Sequence, residues 1–182
     1  MYLKKTKDLK LKYSKKGNLR LIGYSDSDWG GDMDQRKSTT GYVFMLGGAA
    51  ISWSSKKQQS VALSATEAEY MASAAAAQEA IYLRYLLGDL ECPQEGPTLL
   101  FEDNKGSIAM AKNYITSRRT KHIEIRHHFI RGCVERKFIE VRWMQSEQML
   151  ADILTKVTSK ATTDQHIKVI MGQERHPHET PH

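Results

Sequence analysis

The chain has 182 residues, 40% hydrophobic and 26% charged, with a net charge of +6, which suffices for one ordinary domain with a real core. No apolar run approaches a membrane span, the basic start Met1–Asn18 lacks the apolar block of a secretory signal, and two cysteines, Cys92 and Cys133, give neither a disulfide framework nor a zinc spacing, so the expected setting is intracellular, cytoplasmic or nuclear, with no membrane partner. The charge is uneven: residues 1–20 carry eight Lys/Arg against one acid, residues 61–111 two against eight, and residues 112–137 eight against two, a pattern of basic flanks that suggests a polyanion partner.

Residues 1–18 read as a basic connecting segment. Leu19–Asp26 is a predicted strand, followed by the Gly/Asp-rich loop "DWGGDMDQRKS". β-Branched and aromatic residues make Thr39–Leu46 a strand, Gly47–Gly48 a tight hairpin and Ala49–Ser55 its return. The alanine-rich stretch from Ser64 to about Leu87 is a helix. Leu99–Glu102 is a short apolar strand, and a short helix runs on to about Lys112. The basic connection "KNYITSRRTKH" leads to a helix over Ile123–Lys137. Phe138–Met144 alternates as a strand, and Ser146–Lys156 reads as a final amphipathic helix. From Thr158 the tail, with His176, His178 and His182, has little core potential and is expected to be largely disordered. This order implies an α/β fold: a mixed five-stranded sheet with helices packed on it.

Four acids stand out. An apolar strand runs into Glu102 and Asp103, and an unpartnered buried carboxylate is costly. Asp26 is expected to end the first strand as Asp103 ends the fourth, and ligand sites in open α/β sheets gather at the carboxyl ends of strands. Ser64-x-x-Glu67 is a capping box, with Glu67 reaching back to the Ser64 amide. Glu69 instead shares a helix face with Ala72, Ser73, Ala76, Ala80 and Leu83, the small face that can lie against a sheet. Thr66-x-x-Glu69 as a second capping box is its structural alternative. Asp152 borders the apolar stripe of Met149, Leu150, Ile153 and Leu154. Clustered, Asp26, Glu69, Asp103 and Asp152 would repel one another unless cations bind. Hard divalent ions, above all Mg²⁺, suit such oxygen ligands. Two of them about 4 Å apart can clamp the attacking water and the leaving oxygen of a phosphodiester.

The blocks "GYSDSDWGGD", "STTGYVFMLGGAAISWSSKKQQSVALSATEAEYMA", "FEDNKGSIAMAKN", "RTKHIEIRHHFIRG" and "EQMLADILTK" resemble, in one register from Leu19 to Lys156, the ribonuclease H domain of Ty1/Copia-type retrotransposon Pol polyproteins. The start resembles the stretch joining reverse transcriptase to that domain, and "DQHIKVIMG" resembles the end of the polyprotein. The resemblance implies a ribonuclease H-like fold over residues 19–157, preceded by a connection from the reverse transcriptase over residues 1–18. It implies two Mg²⁺ ions, with Mn²⁺ as a substitute, no small-molecule cofactor, and endonucleolytic cleavage of the RNA strand of RNA/DNA hybrids during reverse transcription. The partners would be the hybrid and an upstream reverse transcriptase domain. The four acids of the family match Asp26, Glu69 (the glutamate of "AEY"), Asp103 and Asp152. Glu102 is then expected to be a solvated neighbour, and Asp28 a loop residue or outer helper. Many cellular ribonucleases H carry a mobile His before the last acid; "RWMQSEQ" has none, as is common in the Copia group, which points to slow turnover.

A hybrid is recognised through its backbone and 2′-hydroxyls. Ser64, Thr66, Asn104 and Gln145 are candidates for contacts near the metals, and Arg118, Arg119, Lys121, His122 and Arg126 for contacts farther out. Phosphate contacts predict salt-sensitive, sequence-tolerant binding. A zinc site at His122, His127 and His128 is disfavoured by the lack of a C-x-x-C. Trp29, Trp53 and Trp143 are expected to pack in the core or at edges. The competing class is a non-enzymatic retroelement relic that binds nucleic acid or protein. A DNA-cutting relative is disfavoured by the early helix position of Glu69.

Overall fold

The computed structural model describes residues 6–14, 19–31, 34, 36–112 and 121–174, with the side chains of 121–127 excepted. The elements are β1 (Ile22–Asp28), β2 (Thr39–Leu46), β3 (Ala49–Lys57), α1 (Ala65–Asp89), β4 (Thr98–Glu102), α2 (Lys105–Lys112), α3 (Lys121–Glu135), β5 (Ile139–Trp143), α4 (Asp152–Thr155) and α5 (Lys160–Ile170). The five strands form one sheet in the order β3-β2-β1-β4-β5. The β1–β2 and β2–β3 pairs are antiparallel, and β1–β4 and β4–β5 are parallel. The β2–β3 turn needs positive φ at both Gly47 (62°) and Gly48 (85°), which glycine supplies without a Cβ clash.

Strand alternation sends side chains into two cores. One holds Leu21, Phe44 and Leu100 beneath the alanine face of α1 and Ile130 of α3. The other holds Tyr24, Leu99 and Phe101 beneath Met149, Leu150 and Val169. Ala72, Ser73, Ala76, Ala80 and Leu83 are all buried. Small side chains let α1 approach the sheet closely, and the predicted inward face is the observed one.

Three local expectations change. β1 runs past Asp26 to Asp28, because its ladder with β2 continues to the Asp28–Thr39 pair. The predicted helix Ser146–Lys156 is broken into a 3-10 turn, Ser146–Gln148, and the single turn α4. Met149, Leu150 and Ala151 between them are all buried. The backbone bonds there close over three residues, Met149 N to Ser146 O at 3.1 Å and Asp152 N to Met149 O at 3.2 Å, so the chain turns in the tighter 3-10 manner instead of running on as one α-helix. Residues 158–174 are not a disordered tail. Ser159 caps α5, its Oγ accepting from Thr162 N at 3.1 Å, and His166 and Val169 are buried. The run Ile167–Met171 supplies an apolar stripe that the polar composition of the tail conceals. The histidines at 176, 178 and 182 lie outside the described residues.

The segment before β1 also packs. Tyr13 OH donates to Ala50 O at 2.7 Å, Ser14 N to Gly47 O at 2.8 Å, and Lys12 N to Met171 O at 2.9 Å. Among the described residues no helix is long and apolar enough to cross a membrane.

Candidate active site

β1 pairs with β2 along its whole length but with β4 only from Ile22–Leu99 to Tyr24–Phe101. Asp26 and Asp103 each stand two residues beyond that last pair, on the side of Tyr24 and Phe101. Glu69, in the second turn of α1, reaches the same gap from the other face, where its Oε1 accepts from Ser27 N at 3.3 Å. One carboxylate oxygen from each of Asp26, Glu69 and Asp103 lies within 4.8 Å of the others. Asp26 is 1% exposed and Glu69 6%; Asp103 is half-buried.

Asp152, also 6% exposed, adjoins this cluster from α4. Lys156 links it to Asp26, its Nζ lying 3.0 Å from Asp152 Oδ1 and 3.7 Å from Asp26 Oδ1. Thr155 Oγ1 donates to Asp26 Oδ2, and Ser146 Oγ donates to Asp103 Oδ2 at 2.7 Å. The position of α4 depends on Gly41, the β2 partner of Asp26. A Cβ on Gly41 would fall 2.6 Å from Thr155 Cγ2 and 3.0 Å from Leu154 Cβ.

The electrostatics record the crowding. Burial, then the charges of Asp26, Asp103 and Glu102, push Glu69 up to about 9 against the Ser27 amide. Burial and then Asp26 raise Asp152 to about 6, with Lys156 opposing. Burial also raises Asp26, outweighing Thr155 and Lys156. Burial pushes Lys156 down, but Asp26 and Asp152 outweigh it and hold the ammonium charged. Glu69 Oε2 is buried with no hydrogen-bond partner among the described residues. An oxygen-only set of crowded carboxylates with an orphaned acceptor fits a hard divalent cation.

Glu102 corrects an expectation. It is 0% exposed, not solvated. Alternation along β4 turns it away from Asp103 and toward α1, where Ser73 Oγ donates to its Oε1. Burial raises its carboxyl to about 7, opposed by the Ser73 hydroxyl. The signal available in the sequence was Ser73, a hydroxyl on the otherwise alanine-lined face.

Among the predicted contact residues, Ser64 caps α1, its Oγ accepting from Glu67 N at 3.1 Å. The carboxylate of Glu67 accepts from Leu63 N at 2.8 Å rather than from the Ser64 amide. Asn104 caps α2, its Oδ1 accepting from Ser107 N at 3.0 Å. Thr66 faces Gly106, where a Cβ would lie 3.1 Å from its Oγ1. Gln145 is exposed beside Ser146. Thr66 and Asn104 thus meet over Gly106, each 3.1 Å from the place a Cβ would take there. Arg118 and Arg119 lie outside the described residues, and the side chains of Lys121, His122, Arg126 and His127 do too. Asp28 locks the loop after β1 by accepting from Thr39 N. Trp29, Trp53 and Trp143 are all exposed; Trp53 and Trp143 sit on the two edge strands, and the Trp143 indole donates to Asp103 O at 3.1 Å. A groove of about 650 Å³ runs alongside α1, lined by polar residues such as Lys56, Lys57, Gln58 and Gln78 and by apolar ones such as Met71 and Phe129. Ser146, Thr155 and Lys156 escaped the sequence-based prediction.

The architecture has solved counterparts. It matches the N-terminal RNase H domain of Rv2228c from Mycobacterium tuberculosis with a TM-score of 0.57 at 12% identity, over 81% of this chain and 99% of that one. It matches LC11-RNase H1, isolated from compost and solved in complex with an RNA/DNA hybrid, with a TM-score of 0.54 at 14% identity, over 75% and 94% of the two chains. The fold is that of a ribonuclease H domain. No family model matches the chain. It is 43% identical over 140 residues, 77% of its length, to the retrovirus-related Pol polyprotein from transposon TNT 1-94 of Nicotiana tabacum. It is 41% identical over 166 residues, 91% of its length, to that from transposon RE1 of Arabidopsis thaliana. The chain belongs with the Pol polyproteins of Copia-type retrotransposons and spans 10% and 11% of the length of these two relatives.

Proposed function

We propose that this chain is a divalent-metal-dependent endonuclease that cleaves the RNA strand of RNA/DNA hybrids, as the ribonuclease H part of a Copia-type Pol polyprotein. The observation that carries the proposal is the convergence of Asp26, Glu69 and Asp103 within 4.8 Å at the carboxyl ends of β1 and β4, with Asp152 beside them. Asp26, Glu69 and Asp103 would hold one ion, and Asp26 with Asp152 a second, Mg²⁺ in preference with Mn²⁺ as a substitute. When bound, such ions would activate water and stabilise the leaving oxygen. The chain's own groups set the frame. Thr155 orients Asp26, Ser146 orients Asp103, and the Ser27 amide orients Glu69.

Ser64, Thr66, Asn104 and Gln145 would meet the hybrid near the carboxylates. Arg118, Arg119, Lys121, His122 and Arg126 would meet its phosphates, and the groove bearing Lys56 and Lys57 offers further cations beside α1. An upstream reverse transcriptase would act on the same hybrid, inside the cell.

The test is cleavage of a labelled hybrid by the purified chain with Mg²⁺, with EDTA, and by Asp103→Asn, alongside single-stranded RNA and duplex DNA. Hybrid-only cutting that needs Mg²⁺ and is lost in Asp103→Asn supports the proposal. A folded chain that cuts nothing, even with a reverse transcriptase supplied, overturns it in favour of a binding relic.

A further inference from the structure

Lys156 belongs to the site but has no part in the proposed chemistry. The single turn of α4, seated on Gly41, presents Asp152, Thr155 and Lys156 together to Asp26. The carboxylates of Asp26 and Asp152 are buried, whereas the Lys156 side chain is 41% exposed. Its ammonium therefore enters from solvent and caps a buried pair of acids, at 3.7 and 3.0 Å.

The two corners of the site thus differ. At the first, among the described residues, Glu69 accepts from the Ser27 amide and Asp103 from the Ser146 hydroxyl, neither carries a salt bridge, and Glu69 Oε2 has no hydrogen-bond partner. At the second, a cation is already built in. An ammonium on a flexible four-carbon stem is a point charge that can leave as well as arrive. Any free cation at Asp26 and Asp152 must displace it or bind against its repulsion.

We infer that Lys156 is an intrinsic counter-ion that competes with a divalent ion for the Asp26–Asp152 pair. One divalent ion then loads at Asp26, Glu69 and Asp103, and a second enters only as Lys156 swings out to solvent. The inference rests on the proposed metal-dependent nuclease.

The test counts Mn²⁺ ions on the full chain without nucleic acid, by electron paramagnetic resonance and calorimetry. The wild type should bind one ion and a second at least about tenfold more weakly, and Lys156→Met, which keeps the stem and removes the charge, should tighten the second by about tenfold or more and the first by clearly less, so that the gap narrows. Lys156→Arg should keep the wild-type gap, and Lys156→Gln provides a second neutral variant should the methionine protein not fold. Unchanged weak binding in both neutral variants overturns the competition, as does Lys156→Arg behaving like Lys156→Met. If that happens while Asp103→Asn still loses the first ion, the metal-dependent proposal stands. If the folded wild type binds no divalent ion, both fall.

Discussion

Replacing Glu69 with Gln should make the protein more stable in chelator while weakening its response to divalent cations. The carboxyl of Glu69 is raised from an ordinary 4.5 to about 9 by burial and by Asp26, Asp103 and Glu102. A group with a raised folded pKa contributes its full stability below the unfolded value and loses it as pH rises through the folded one. Each pH unit between these limits therefore costs about 1.4 kcal/mol, or roughly 3 kcal/mol by pH 7. Glutamine does not titrate, its Oε1 can still accept from Ser27 N, and its amide hydrogens face the neighbouring carboxylates. For a chain of this size a gain of about 3 kcal/mol raises Tm by roughly 6–12 °C. The assay is thermal melting of both proteins in EDTA between pH 5 and 8.5. The difference should grow with pH and shrink toward zero near the unfolded pKa. Added Mg²⁺ should then raise the wild-type Tm through binding to the native state and move the variant much less. A variant no more stable than wild type at pH 8, or a difference independent of pH, would refute the crowding of Glu69.

Gly41→Ala places a methyl into Thr155 and Leu154; it should cost about 1–3 kcal/mol by overpacking and lower hybrid cleavage by displacing Thr155 from Asp26, read by melting and cleavage together. Ser73→Ala strips the donor from buried Glu102 and should cost about 1–3 kcal/mol in urea unfolding, whereas Ser73→Ala with Glu102→Leu should recover most of the loss. Ending the chain at residue 158 removes α5 with Val169 from the second core and should lower Tm measurably; an unchanged Tm would restore the view of that segment as a tail. Hybrid affinity should fall steeply between low and moderate salt and again in Arg118→Ala with Arg119→Ala; flat salt dependence would exclude phosphate-dominated binding.

Local periodicity made most of the fold legible. The hairpin glycines, the alternating strands and the small-residue stripe of α1 are each properties of a few consecutive residues, and they placed Glu69 inward rather than Glu67. What escaped depends on partners distant in sequence. Glu102 looked solvated because a strand end was equated with solvent, yet α1 covers it and Ser73 donates to it. The break before α4 lies where Met149, Leu150 and Ala151 enter a core built from β1, β2 and β4, strands far earlier in the chain. Lys156 lies beside Asp26 only because Gly41 lets α4 settle there. The stripe that folds α5 is short and set in polar surroundings, so composition outweighed it.

The parting of β1 from β4 beyond Tyr24 and Phe101 has a mechanical consequence. Glu69 rides on the layer carrying α1 and Asp152 on the layer carrying α4, while Asp26 and Asp103 stand on the two tines of the fork between them. No ladder bond joins those tines at the level of the acids. The layers can therefore shift slightly against each other, altering the spacing of the acids without breaking a β1–β4 hydrogen bond. The parting of the two strands thus lies directly beside the charges whose separation matters most.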